Sequence, residues 1–202
     1  GTLKTSYGNT INMYQEWGIT RQSTTLNLAP TVDPKIAVDA LFAALQDSAY
    51  AGDALDGYVV LCSKELFSTL TSHPYLRDIY TNASNFPRAE NLLVGRLRST
   101  LGQRYRQFFY GGILFVEYTG TIGGTRIIPQ NQGVAFPMND SLGFMQFAPA
   151  QRFSSINQIA QPAYYFEKLG ENDDKIEMMT ESNFATILAK PYLVRGVTFT
   201  TA

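Results

Sequence analysis

From Lys35 to Tyr50 the chain runs without glycine or proline behind an Asp33-Pro34 pair, and here a helix of several turns is the plain expectation. Asp33 can accept from the free amides of a first turn, and Pro34 brings the fixed φ that suits the first helical position. Ala37, Leu41, Ala44, Leu45 and Ser48 share one face at helical spacing, and Gly52 marks the end. Elsewhere the apolar runs are short and are stopped by glycine, proline or asparagine. A chain punctuated this way builds short strands and short helices around that one element, so the predicted class is α+β with mostly antiparallel strands.

The remaining elements follow from local signals. Residues 1–28 read as strands and turns, with a turn at Tyr7-Gly8-Asn9 and period-two alternation over Thr24–Leu28. Tyr58–Cys62 is a continuous apolar run of the kind a buried strand shows. Ser63 can cap a helix to about Ser72 with Leu66, Phe67 and Leu70 on one face, and Pro74 breaks it and starts another short helix to Tyr80. Residues 81–87 have loop chemistry, and Glu90–Ser99 is a weaker helical stretch interrupted by Gly95. Gly111-Gly112 between β-rich runs predicts a tight hairpin, because both central positions can take positive φ. Gly120, Gly123 and Gly124 make a second turn-rich stretch. Strands are expected at Gly133–Pro137, within Ser141–Phe147, at Ala163–Lys168, along Lys175–Leu188 as one return strand after the Gly170–Asp174 turn, and at Tyr192–Thr200.

Composition excludes several function classes. The 202 residues carry 45% hydrophobic but only 16% charged side chains, with a formal net charge of −1. That charged share is low against the usual ~25%, which fits either a well-filled core or surfaces meant for protein contact. The densest basic region is Arg96, Arg98, Arg104 and Arg106, too little for a face that reads nucleic-acid sequence. No run approaches the ~18 apolar residues of a membrane span, and no signal-peptide pattern opens the chain. The expectation is a soluble protein suited to a reducing cytoplasm. Gly1 in place of Met points to a fragment or a processed chain.

Chemistry-bearing residues are sparse. There is one cysteine, Cys62, within an apolar strand, and one histidine, His73. A triad would have to use His73, whose bland reading is a side chain offsetting the dipole at a helix end. One Cys and one His are too few for a zinc site, and Glu171, Asn172, Asp173 and Asp174 lack calcium-loop spacing. Gly120-Thr121-Ile122-Gly123-Gly124-Thr125-Arg126 lacks the Gly-Lys-Ser/Thr ending of a phosphate loop. Asp53 with Asp56, or Glu177 with Glu181, are carboxylate pairs of the sort chance supplies. No catalytic, metal or cofactor site is predicted.

The order of motifs in the second half carries more. A Gly-Gly-Ile-x-Phe-x-Glu-Tyr strand stands at Gly111–Tyr118, Ile-Pro at Ile128-Pro129, and Ala-Phe-Pro at Ala135–Pro137. Phe-Ala-Pro-Ala-x-x-Phe follows at Phe147–Phe153, then Asn157, Pro162-Ala163-Tyr164-Tyr165, Ser182-Asn183 and Lys190-Pro191. Upstream lie Ser72-His73-Pro74 after an apolar helix and Tyr14–Gly18, taken as the strand before the first long helix. In this order and spacing the chain resembles the phage lambda-like major capsid protein E family from about residue 7 to 195. It departs at Phe184-Ala185-Thr186, where that family commonly has prolines, and the path of that strand is therefore open.

The resemblance implies the HK97-type capsid fold. An A domain would occupy 33–150, and P-domain strands 1–32 and 151–202. The family's N-terminal arm, E-loop and spine helix are expected to be lacking. It further implies a structural, non-enzymatic subunit forming homo-oligomeric hexamers and pentamers. These would enclose DNA without reading its sequence and would meet scaffold, decoration and portal proteins. The setting would be the virion capsid, or the bacterial cytoplasm during assembly, with no membrane partner. The inter-subunit candidates are Gly120, Gly123, Gly124, Thr125 and Arg126 in one loop, and Asn82 and Asn85 in another, chosen for polar, turn-rich composition between ordered segments. Short of arm and E-loop, the chain is expected to be monomeric or weakly associating in dilute solution. A protein-packaging shell of the encapsulin kind, or another phage interaction module on the same fold, is the rival structural reading. A hydrolase acting through Cys62 or His73 is the third.

Overall fold

The computed structural model describes residues 2–4, 9–50, 53, 56–77, 106–138, 142–155, 157–169 and 176–201. It is α+β, with few helices and several sheets. Two compact units emerge: residues 1–16 with 143–189, and residues 17–142 with 190–202. These limits differ from the sequence-based divisions at 33 and 150. The strand expected near Thr24 and the last strand of the chain both belong to the sheet of the larger unit.

That sheet has six strands: β3 (Gln22–Asn27), β4 (Tyr58–Cys62), β5 (Gln107–Tyr110), β6 (Ile113–Glu117), β9 (Gln132–Pro137) and β14 (Arg195–Thr200), in the order β3-β14-β9-β4-β6-β5. The β3–β14 and β4–β6 pairs are parallel and the other three antiparallel. Continuous apolar sequence explains the centre. β4 pairs on both sides and is buried at four of its five positions, and β6 is buried throughout. Strands buried on both faces read as unbroken apolar runs.

Helices α2 (Pro34–Asp47) and α3 (Lys64–Thr71) pack into one cluster with Tyr58, Val60, Cys62, Ile113 and Phe115. Val59, Leu114 and Val116, at the intervening positions of the same strands, form a second, smaller cluster. In α2 the Asp33 carboxylate accepts from the Lys35 amide at 2.8 Å, with Pro34 in the first turn. The buried stripe is Pro34, Val38, Leu41 and Leu45, so the core face centres on Val38, and Ala37 and Ala44 flank it. The helix ends at Asp47, earlier than Tyr50: the Ala49 amide bonds the Gln46 carbonyl at 3.0 Å, three residues back instead of four, and the Ser48 hydroxyl donates to the Ala44 carbonyl at 2.8 Å. α3 begins as expected, with the Ser63 hydroxyl accepting from the Leu66 amide at 3.3 Å. Residues 74–77 are helical; the continuation to Tyr80, the loop at 81–87 and the helix at 90–99 lie outside the described residues.

Gly111 and Gly112, at φ 58° and 79°, make the two-residue turn between β5 and β6. At the close of the sheet, Arg195 donates to Thr24 Oγ1 at 3.0 Å and Ser48 Oγ at 3.2 Å, tying β14 to β3 and to the end of α2. The Lys190 amide donates to the Leu142 carbonyl at 3.3 Å.

The smaller unit consists of two-stranded ribbons. β1 (Thr2–Lys4) pairs with β2 (Thr10–Asn12), β10 (Gly143–Ala148) with β13 (Asn183–Leu188), and β11 (Tyr164–Leu169) with β12 (Ile176–Glu181). Two expectations are corrected here. Tyr14–Gly18 is not a strand: Met13–Glu16 forms the one-turn helix α1, and Gly18 follows with φ 63°. Nor is Lys175–Leu188 one strand. It breaks at Ser182, whose hydroxyl donates to the Pro162 carbonyl at 2.6 Å, and its halves pair with different partners. The Gly170–Asp174 turn lies outside the described residues.

Candidate functional site

Cys62 and His73, the one cysteine and the one histidine, are both buried in the fold. Cys62 is fully buried on β4, its Sγ donating to the Val60 carbonyl at 3.6 Å, and burial pushes the thiol well above its ordinary range. His73, just past the end of α3, is 3% exposed. Its Nε2 lies 3.0 Å from the Ala29 carbonyl, which can only accept, so Nε2 carries the proton there. The ring stacks on Tyr75. No hydrogen bond joins Cys62 to His73.

The carboxylate pairs separate in the same way. Asp53 accepts from Lys190 Nζ at 2.6 Å, from the Tyr50 amide at 3.0 Å and from the Tyr192 hydroxyl at 3.3 Å. The Lys190 hydrogen bond leads in holding the Asp53 carboxyl below its usual range and, reciprocally, raises Lys190. Glu181 accepts from the Gln151 amide and from Asn183 Nδ2, both at 2.7 Å. Glu177 is four positions away along the same strand, about 13 Å at strand rise, too far to share a proton. Asp173 and Asp174 lie outside the described residues. Among the described residues no cluster of three His, Cys, Asp or Glu side chains could hold a metal, and no helix is long and apolar enough to cross a membrane.

The Asp53 tie has a pH consequence. A carboxylate depressed in the folded state stabilises above its ordinary pKa and stops doing so as pH falls through the lower folded value. Urea midpoints of wild type and Asp53→Asn should therefore differ at pH 7 and draw together as pH falls below the ordinary aspartate range. A gap that stays constant with pH would mean the tie does not act through charge.

The candidate loop at Gly120–Arg126 is a small hairpin, β7 (Thr121–Ile122) and β8 (Thr125–Arg126), turned by Gly123 and Gly124 at φ 56° and 79°. Gly120 serves differently: a Cβ there would fall 2.6 Å from the Tyr118 ring. The hairpin stands in solvent, with Ile122 73% exposed. Arg126 is engaged at its base, donating to Glu65 Oε1 on α3 at 2.7 Å, which lowers the Glu65 pKa. Asn82 and Asn85 lie outside the described residues.

Two arrangements went unread in the sequence. Glu117 is 7% exposed at the end of β6, and Arg106 grips both its oxygens while lying over the Phe67 ring. In the smaller unit three separated motifs converge. Asn183 Nδ2 donates to the Pro149 carbonyl at 3.0 Å, Ala148 faces Asn183 in register, and the Arg152 guanidinium lies 3.7 Å from the centre of the Phe166 ring.

The family model described as phage major capsid protein E matches residues 1–198. The major capsid protein of Pseudomonas phage KPP10 is 32% identical over 191 residues, covering 90% of this chain and 54% of that protein. The major capsid protein of Salmonella phage Felix O1 is 25% identical, covering 92% of this chain and 57% of its own length. The chain thus spans about half the length of the curated relatives it matches. Among solved structures, a chain from the crystal structure of a virus-like particle from Pyrococcus furiosus aligns over 88% of this chain and 57% of its own, at 17% identity and a TM-score of 0.38, too loose a likeness to argue from.

Proposed function

Since the chain belongs to the phage major capsid protein E family, we propose that it is a structural subunit of the icosahedral capsid of a tailed phage or prophage. The match over residues 1–198 carries this reading. In it the protein's work is done by surfaces. Copies associate into hexamers and pentamers that enclose DNA without reading it, meet scaffold, decoration and portal proteins, and assemble in the bacterial cytoplasm. The subunit has the HK97-type fold and no enzymatic activity. Its A domain is proposed at residues 33–150 and its P-domain strands at 1–32 and 151–202. Negative-stain electron microscopy of the full-length polypeptide tests the reading. Closed shells or rings of five or six subunits are the expected result, and small monodisperse particles under every salt and scaffold condition would refute it.

The hairpin at Gly120–Arg126 is proposed as an inter-subunit element, supported by the exposure of residues 121–126 and the apolar Ile122 near its tip. Asn82 and Asn85 are proposed as a second such surface. Arg126→Glu should leave the subunit folded, since an exposed ion pair contributes about 0–1 kcal/mol, yet impair assembly. Combining it with Glu65→Arg restores the internal pair. Assembly that stays impaired in the double variant, scored by sedimentation, assigns the loss to the surface; rescue would assign it to the lost pair and remove the hairpin from the interface.

A further inference from the structure

We propose that Asp53, Lys190 and Tyr192 form an acid-sensitive latch, which holds the returning end of the excursion from Gly143 to Ala189 in place and opens while the six-stranded sheet stays folded. The inference stands apart from the capsid reading and does not rest on it.

Two distant segments meet at this point. Lys190 and Asp53 are 137 positions apart, and one carboxylate gathers donors from both sides. Lys190 Nζ and the Tyr192 hydroxyl come from the returning chain, and the Tyr50 amide from the stretch after α2. The Tyr50 ring meets that of Tyr192 edge-on, 4.8 Å between centres. Backbone contacts in the same turn are long. The Lys190 amide donates to the Leu142 carbonyl at 3.3 Å, the Leu193 amide to Lys190 at 3.2 Å and the Val194 amide to Pro191 at 3.2 Å. Well-made bonds of this kind cluster near 2.9–3.0 Å or so. The side-chain joint at Asp53 is therefore a large part of what keeps residues 190–194 seated.

The sheet does not depend on that joint. Val60, Ile113, Phe115, Ala135 and Val197 belong to the core cluster shared with α2 and α3, and Asp53 is not among its members. Arg195 fixes β14 separately, through Thr24 and Ser48. Opening at residues 190–194 is thus a local event, of the kind that costs less than unfolding the whole.

Charge makes the joint respond to acid. The Asp53 side chain is 5% exposed and that of Lys190 24%. Among the described residues, the titratable groups around Asp53 are Lys190 and Tyr192 from the returning turn, Tyr50 from the end of α2, and Asp56, which lines the same open hollow. Lys190 is the one cation in that set, so its grip requires an ionised Asp53. The Lys190 hydrogen bond leads in holding the Asp53 carboxyl below its usual range. The latch is accordingly closed at neutral pH and is lost as pH falls through that depressed value.

Hydrogen exchange read by mass spectrometry on the full-length polypeptide tests this, with variants compared at one pH so that intrinsic rates cancel. At neutral pH, Asp53→Asn should speed exchange across residues 190–194 by about tenfold, with Tyr58–Cys62 and Ile113–Glu117 unchanged. Lys190→Met, which keeps the stem without the charge, should do the same. The gap between wild type and Asp53→Asn should close as pH falls below the ordinary aspartate range, because the wild type then opens too. Acceleration spread evenly over the sheet would show that Asp53 acts on global stability alone and would overturn the latch. Unchanged exchange at 190–194 in both variants would overturn it as well, and so would a gap that persists in acid.

Discussion

Phe115→Ala should cost about 3–5 kcal/mol of stability, the range for emptying a buried phenylalanine site. Phe115 is fully buried in the middle of β6, a strand paired on both sides by β4 and β5, and its ring lies 6.2 Å from that of Phe108. Strands held on both sides cannot easily collapse into the space a ring leaves, so the cavity should persist and the cost should fall toward the upper end. Ile122→Ala, at a side chain 73% exposed on the β7–β8 hairpin, is the control and should stay within about 0.5 kcal/mol. Urea unfolding of the two variants against wild type measures both. Equal effects would mean that the six-stranded sheet does not supply the core of the larger unit.

The second large effect separates two turns that look alike in sequence. Gly111 and Gly123 each open a two-residue hairpin turn, at φ 58° and 56°. The backbone cost of alanine should be the same at both, about 1–2 kcal/mol for an L residue in the left-handed region. Their surroundings differ. A Cβ at Gly111 would lie 2.6 Å from Cγ1 of Val38, which is fully buried on α2, while at Gly123 nothing lies within 4 Å. Overpacking a filled core costs a further 1–3 kcal/mol or so. Gly111→Ala should thus lose about 2–5 kcal/mol and Gly123→Ala about 1–2 kcal/mol. The difference between their unfolding midpoints isolates the packing contribution. Indistinguishable losses would show that α2 shifts freely away from the β5–β6 turn.

These two glycines also mark where the sequence is legible. The turn at Gly111-Gly112 can be read directly, because two adjacent glycines between β-rich runs satisfy the positive φ a tight hairpin needs. Its register follows by counting outward, which sets Arg106 opposite Glu117. That ion pair was therefore within reach of the sequence, though the arginine reads first as one of a basic cluster. The caps at Asp33 and Ser63 and the buried strand Tyr58–Cys62 are legible for the same reason: each depends on a few neighbouring residues. The break at Ser182 is not. What the sequence does not show is that the two halves pair with different strands, β12 with β11 and β13 with β10. The one-turn helix at Met13–Glu16 is too short for periodicity to mark, and the Asn12 side chain that accepts from the Tyr14 amide at 3.1 Å is a local signal easily passed over. The Asp53–Lys190–Tyr192 tie joins residues well over a hundred positions apart and becomes visible only when the sheet brings them together. For function, the ordered motifs pointed to the family from sequence alone.

The hydrogen bond from Lys190 to Leu142 makes a doorway. The chain leaves the larger unit at one side of it and returns at the other, 47 residues later by numbering from Gly143 to Ala189. A detour that starts and ends at neighbouring points can grow, shrink or be exchanged without pulling on the strands that flank it. Residues 143–189 are thus free to change in length without disturbing the sheet, much as a room can be refitted behind a door whose frame stays put.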